Sequence, residues 1–438
     1  MIDSRPSRHV VNEVYTSSDK MKATMLPLGS EPTFQQLLQF LESHLSQHVL
    51  PFWTKYGLDW EHGGIFNFLE DNGRLISTDK ALWSQGRALW VYSALYNYFD
   101  RSENWLKIAD SIAAFIIRHS EQSPGAWAFT LRRDGQIVEP PQSIYVDAFV
   151  MHGLTEYARA TNNERALDLA LDTYRRTECL LRHHTELPTR PHHIPSGLQA
   201  HGPSMIFALV YHELGLLTGR SDILNRALDL AEIVMSQHLH PDHQLLYEFV
   251  LPGGQLSESD AGKTIIPGHA IESMWIMERI YAYHRQQDRV ALALKAIRWH
   301  MERGWDPEFG GLFLAVHRDG GIPIWHSPDS KVWWPITESL FALLRAYELS
   351  GESWCLDWYW RVHEYAFRNY PNPEDGEWFQ NLDRQGRRIP VVVKTLPVKD
   401  PFHLPRALLY SILVLRRLTG NSSTADEATK SRQSSLSG

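Results

Sequence analysis

Gly63-Gly64-Ile65-Phe66, running into Asp71-Asn72-Gly73, returns as Gly310-Gly311-Leu312-Phe313 running into Asp319-Gly320. The pattern, a short apolar alternation ending in a glycine turn, is that of a small β-hairpin. It recurs at Gly125-Ala126-Trp127-Ala128-Phe129 with Asp134-Gly135, at Leu245-Leu246-Tyr247-Glu248-Phe249 with Gly253-Gly254, and at Gly376-Glu377-Trp378-Phe379 with Gly386. The copies lie roughly 60–66 residues apart, with one double-length interval between Gly125 and Leu245. The missing copy falls in the Pro/His-rich stretch 183–200, so six units fit the chain.

Between the hairpins run paired segments of helical periodicity, such as 79–100 with 104–119 and 266–285 with 288–303. About twelve helices are expected in all, from near Phe34 to near Leu418. Six helical hairpins in series predict an all-α chain folded as an (α/α)6 barrel, with inner and outer rings and the short β-hairpins at one end. An open superhelical solenoid is the rival, but six is a closing number and no polar capping repeat is present. Residues 1–30 read as a flexible arm, 31–420 as a single barrel domain, and the Ser/Thr-rich residues 421–438 as a disordered tail.

Composition narrows the function. A net charge of −8 without a basic stripe argues against nucleic acid as a partner, and no apolar run reaches membrane-spanning length. Two cysteines in unrelated helical stretches exclude a disulfide framework, and the absence of a signal-like apolar run near the N-terminus favours the cytoplasm. The 16 Trp, 17 Tyr and 17 Phe suit a large helical core, with a few tryptophans left for a cleft that takes sugar faces.

The repeat also gathers polar residues. Arg87 lies 24 residues beyond Gly63, Asp147 lies 22 beyond Gly125, and His269 lies 24 beyond Leu245. Glu338 lies 28 beyond Gly310 and His403 lies 27 beyond Gly376. Each therefore starts the helix after a hairpin. If these are the inner helices, the five residues converge on one mouth of the barrel. Two histidines at a common centre can serve as acid and base at neutral pH. His269 and His403 read equally as helix caps or core histidines, and Glu272 as a first-turn acid favoured by the helix dipole. Arg87, on a face with Trp83 and Trp90, needs either a ligand or an internal ion pair. For Trp333 a structural role is expected; Trp334 and Glu338 are assigned to the cavity. Gly262-Lys263-Thr264 lacks the upstream glycine of a phosphate loop. His238, His240 and His243 read as a solvated turn rather than a metal site, and the pairs His183-His184 and His192-His193 as no stronger.

At these positions the chain resembles the N-acylglucosamine 2-epimerase family, which also takes in cellobiose 2-epimerases, mannose isomerases and sulfoquinovose isomerases. The resemblance runs from about Leu50 to Leu418. It rests on Lys80 through Trp90, on Pro267-Gly268-His269-Ala270-Ile271-Glu272, on Lys331-Val332-Trp333-Trp334-Pro335 with Glu338, and on Phe402-His403-Leu404-Pro405-Arg406. It implies cofactor-independent epimerisation or isomerisation of a reducing sugar, with no metal. His269, His403, Arg87 and Glu272 are then the catalytic residues. Trp83, Trp334, Glu338, Asp147, Lys399 and Arg406 are the expected substrate-binding residues. In the implied chemistry the sugar ring opens, one histidine removes the C2 proton, and Arg87 steadies the cis-enediolate. The second histidine then returns a proton to the opposite face of C2, or to C1 to give a ketose. His403 is taken as the C2 base and His269 as its partner, with their order open. A non-catalytic carbohydrate-binding barrel is the lesser alternative.

Some features depart from the family. Its cellobiose and sulfoquinovose branches carry a third histidine where this chain has Pro203-Ser204-Met205, with His201 close by. Its N-acylglucosamine branch has a glycine-rich stretch where this chain reads Lys394 to Pro401, and Asp147 stands for a longer glutamate. Nucleotide regulation is known among N-acylglucosamine epimerases, yet no phosphate-binding motif supports it here. The expected ligand is a small-molecule sugar, and a homodimer is the assembly considered.

Overall fold

The computed structural model describes residues 32–119, 126–183, 187–389 and 399–420. The predicted arm and tail, Gly125, and residues 394–398 before the last helix lie outside the described residues.

Twelve helices of eleven residues or more are present among them: α1 (Phe34–His44), α2 (Leu82–Ala94), α3 (Glu103–His119), α4 (Ile144–Thr161), α5 (Glu164–His183), α6 (Gly202–Thr218), α7 (Ser221–Ile233), α8 (Pro267–Tyr283), α9 (Gln287–Gly304), α10 (Trp333–Ser350), α11 (Ser353–Asn369) and α12 (His403–Leu418). Local chemistry sets several ends. Thr33 and Gln36 cap α1 reciprocally, side chain to backbone in both directions. Gly219 and Gly351 stop α6 and α10 in the left-handed conformation that lacks a Cβ penalty.

Even-numbered helices form an inner ring and odd-numbered ones an outer ring, and burial follows from that layering. α3 buries one stripe, Ile108, Ile112, Phe115 and Ile116, and exposes Lys107, Asp110 and Arg118. α4 is buried without a break from Ile144 to Ala158, because it has neighbours on every side. Successive inner helices pack side by side, and α12 returns to α1. There Arg416 donates to Glu42 Oε1 from Nε at 3.1 Å and Nη2 at 2.7 Å, and to the carbonyls of Tyr98 and Phe99 beyond α2. The ring is closed. α2 and α4 approach backbone to backbone: a Cβ on Gly86 would collide with the Phe149 carbonyl, and one on Gly153 with the Gly86 carbonyl.

The β-hairpins differ from the expectation of six self-contained units. β1 (Phe68–Leu69) pairs with β2 (Leu75–Ser77) as a hairpin, and β4 (Thr130–Leu131) with β5 (Ile137–Glu139). Other pairings join one unit to the next. β3 (Lys80–Ala81), which leads into α2, pairs with β4, which follows α3. In the same way β6 (Gln199–Ala200) pairs with β9 (Phe249–Val250), β10 (Thr264–Ile265) with β11 (Val316–His317), and β12 (Lys331–Val332) with β13 (Asn381–Leu382). β7 (Leu239–His240) and β8 (Leu245–Leu246) form a further pair. The copy missing from the Pro/His-rich stretch survives as a single Ser143–Thr189 bridge. The rim is therefore stitched around the ring.

Buried ion clusters secure the stitches and reveal the repeat. Asp59 takes Lys80 Nζ at 2.9 Å and Arg133 Nη2 at 2.8 Å; Asp306 takes Lys331 Nζ at 3.2 Å and Arg384 Nε at 2.9 Å. Lys399 holds the third such place, with Nζ on Glu377 Oε2 at 2.6 Å, the Trp378 carbonyl at 2.9 Å and Asp71 Oδ1 at 3.2 Å. Each lysine precedes an inner helix and is fully paired, as a buried cation requires.

Candidate active site

The inner-helix N-termini open on a cavity of about 360 Å³. Pro267 fits the first turn of α8, where no backbone donor is needed, and two residues later His269 reaches the cavity. His403 opens α12, and Trp333 and Trp334 open α10. The Trp334 ring lies 4.9 Å from that of His269 and 5.8 Å from that of His403, so both imidazoles lie near one indole. Residues 134 apart in the chain thus share one cavity.

The surroundings of His403 specify its protonation. Nδ1 donates to Glu338 Oε1 at 2.8 Å, and Arg87 Nη2 donates toward Nε2 at 3.4 Å. A guanidinium can only donate, so Nε2 presents its lone pair. Burial, with Arg87 next, pushes the His403 pKa down to about 3. Arg87 lies against the rings of Phe149, Trp83 and Phe402 at 4.0, 4.7 and 4.7 Å and pairs with Asp400 Oδ2 at 3.3 Å. Its Nε has no hydrogen-bond partner among the described residues.

His269 has the opposite setting. Nδ1 donates to Glu248 Oε2 at 3.0 Å, leaving Nε2 without a protein partner among the described residues. Burial disfavours its charge, yet the Glu248 carboxylate outweighs burial and raises the His269 pKa above the usual value. Glu248 itself is held below the usual carboxylate range against its own burial, by His269 and then His201.

The structure brings Trp83, Arg87, Glu272, His269, Trp334 and His403 to the cavity wall. Four expected substrate contacts sit elsewhere. Glu338 lies behind His403, accepting also from Trp275 Nε1 at 2.9 Å and Arg406 Nη2 at 2.7 Å. Arg406 is 1% exposed and bridges Glu338 to Glu272 Oε1 at 2.6 Å. Carboxylates of Glu272 and Glu338 and a ring nitrogen of His403 cluster tightly enough for a cation, and that guanidinium supplies it. Lys399 serves the rim. Asp147 accepts from the Trp127 amide at 3.3 Å and pairs with Arg176 of α5; burial raises its pKa to about 6. Gln85 accepts from the Ile65 amide at 2.7 Å in the same manner, so Asp147 anchors a hairpin turn and does not face the cavity.

Other readings also change. Trp333, His192 and His193 line the cavity, although a structural or loop role was expected. Burial pushes the His192 pKa down to about 4. His238 is buried and donates from Nδ1 to the Tyr247 carbonyl at 3.0 Å. Lys263 is taken by Glu258 and Asp319. Glu248 was missed, as were Tyr145, Trp325 and Asp400. The lone acid in the apolar run Leu245 to Val250 was the signal for Glu248.

The chain is similar to known proteins along most of its length. The profile of the N-acylglucosamine 2-epimerase (GlcNAc 2-epimerase) family matches residues 63–407. The N-acylglucosamine 2-epimerase of Bos taurus is 32% identical over 82% of this chain and 87% of its own, and that of Mus musculus 30% identical over 86% and 91%. Among solved structures, cellobiose 2-epimerase from Spirochaeta thermophila superposes with a TM-score of 0.75 at 22% identity, covering 90% of this chain and all of that one. That likeness speaks for the (α/α)6 fold.

Proposed function

This chain belongs to the N-acylglucosamine 2-epimerase family and is a sugar 2-epimerase, and from that premise we propose that His403 and His269 exchange the C2 proton of a free N-acylhexosamine. The pair of unlike histidines that both lie against Trp334 in one cavity carries this reading.

Removing the C2 proton requires an aldehyde at C1, so the ring opens first. The His403 Nε2 lone pair then takes that proton and leaves an enolate with its negative charge on the C1 oxygen, a cis-enediolate only where C2 carries a hydroxyl. Arg87 and His403 share a hydrogen bond, which favours Arg87 as the cation nearest the developing oxyanion. Stacking against three aromatic rings fixes the guanidinium before the substrate arrives. His269, charged through Glu248, returns a proton from Nε2 to the opposite face. Both C2 proton transfers in this scheme are carried by side chains of the protein, so they call for no cofactor. The unpaired cysteines Cys179 and Cys355 accord with a reducing, cytoplasmic setting. The N-acyl substrate class rests on the named mammalian relatives.

Incubation with N-acetylmannosamine in heavy water tests the reading. Deuterium should enter C2 of the product as the epimer forms. Failure to exchange C2 in N-acetylmannosamine, mannose and glucose alike would overturn it, and a ketose as main product would favour the aldose–ketose isomerase alternative. The rate should hold at acidic pH, because His403 stays unprotonated down to about 3. It should fall above neutrality as His269 loses its proton at a pKa raised above 6.5.

A further inference from the structure

The two histidines have the same kind of partner. In each, Nδ1 donates to a glutamate, His403 to Glu338 at 2.8 Å and His269 to Glu248 at 3.0 Å. The two differ in what lies behind the glutamates, and in the Arg87 guanidinium that stands beside Nε2 of His403 alone. Glu338 Oε1, the atom that His403 uses, also receives Arg406 Nη2, and Oε2 receives Trp275. No arginine reaches Glu248 among the described residues; its further neighbour is His201, with Nδ1 at 3.7 Å from the same Oε2.

We propose that Arg406 is a positioning residue that sets the direction of proton transfer. By taking up the carboxylate behind His403 it leaves that histidine as the acceptor, while Glu248, shared with no arginine, makes His269 the donor. The proposal rests on the two-histidine reading above. An isolated carboxylate beside an imidazole favours imidazolium, and a carboxylate already neutralised by a guanidinium does so far less. The charged groups facing His403 from neighbouring elements are Arg87 on α2, Glu272 on α8, Glu338 on α10, and Asp400 and Arg406 at or on α12. Those facing His269 are Glu248, His192, His201 and Glu272. Arg406 is stacked on Phe402 and Trp275 at 4.4 and 5.1 Å and does not itself line the cavity, so it acts through Glu338 and Glu272 and not on the sugar.

A consequence follows for turnover. After one transfer His403 is charged and His269 is neutral, the reverse of the starting state. Returning the proton to His269 is then a necessary step before the same epimer can react again, and the Arg406–Glu248 asymmetry drives it.

The pH dependence of kcat/KM for C2 exchange tests this on the full chain. With Arg406→Met, Glu338 and Glu272 regain their pull on His403, and the acid limb should rise by about 1–3 pH units. Arg406→Lys, which keeps a cation, should hold that limb near its original place. With Glu248→Gln, the alkaline limb should fall. If Arg406→Met does not fold, Arg406→Gln, which keeps a donor to Glu338 but removes the charge, should raise the same limb. His269→Asn and His403→Asn separate the two levels of argument: epimer formation retained in either overturns the two-histidine reading, and this inference with it. Epimer formation lost in both, with the acid limb undisplaced in the folded Arg406→Met or Arg406→Gln variant, overturns the inference alone.

Discussion

At the scale of single residues, the site separates groups that meet the cavity from groups that hold those in place. Arg87 is the sharpest case, a buried guanidinium with three aromatic rings around it and an Nε that has no partner among the described residues. In the proposed reaction its contacts strengthen as charge grows on the enolate oxygen. Arg87→Met should therefore lower kcat by about 10²–10³ and move KM much less, as steady-state kinetics would read. An equal rise in KM with kcat unchanged would make it a ground-state binder instead. His269, His403, Arg87, Trp83, Trp334 and Glu272 were all legible in the sequence as a group. Lys399 was misplaced, though comparing repeats could have corrected it: Lys80 precedes Arg87, Lys331 precedes Glu338 and Lys399 precedes Arg406, each by seven positions. Three lysines in one register are one structural part.

At the scale of elements, the arrangement depends on how closely inner helices approach. Gly86 and Gly153 let α2 and α4 touch through their backbones, and this places Phe149 of α4 against Arg87 of α2. Gly153→Ala forces the two helices apart. Its expected cost is about 1–3 kcal/mol in denaturant unfolding, with a loss of kcat because Arg87 moves with α2. An unchanged midpoint would show that the helices can shift freely. Helix positions were readable from periodicity, down to the Phe34 start and the Leu418 end. Strand pairing was not. Strands of two or three residues carry too little pattern to specify a partner, and the pairing across units is chosen by the packing of the helices that bring them together.

At the scale of the molecule, closure places His403 on α12 beside Arg87 on α2, at opposite ends of the chain. The seam relies on Arg416, which joins α12 to Glu42 of α1 and to the carbonyls beyond α2. Arg416→Ala should reduce stability by about 1.5–3 kcal/mol, the worth of hydrogen bonds to a charged group. Arg298→Ala, which removes the exposed pair with Glu302, should change it by less than about 0.5 kcal/mol. Thermal unfolding of the two variants side by side makes the comparison, and equal shifts would deny the seam a special role.

The sequence alone determined the six-unit repeat, its helix count, and the convergence of two histidines and an arginine on one mouth. Periodicity and spacing are local properties of the chain, and a repeat converts them into geometry. Tertiary structure alone decided which glutamate stands behind which histidine. Glu248 reaches His269 across 21 positions and Glu338 reaches His403 across 65, while Arg406 touches the second pair and not the first. Proton affinity is set by burial and by charges within a few ångströms, and those neighbours exist only once the ring has closed.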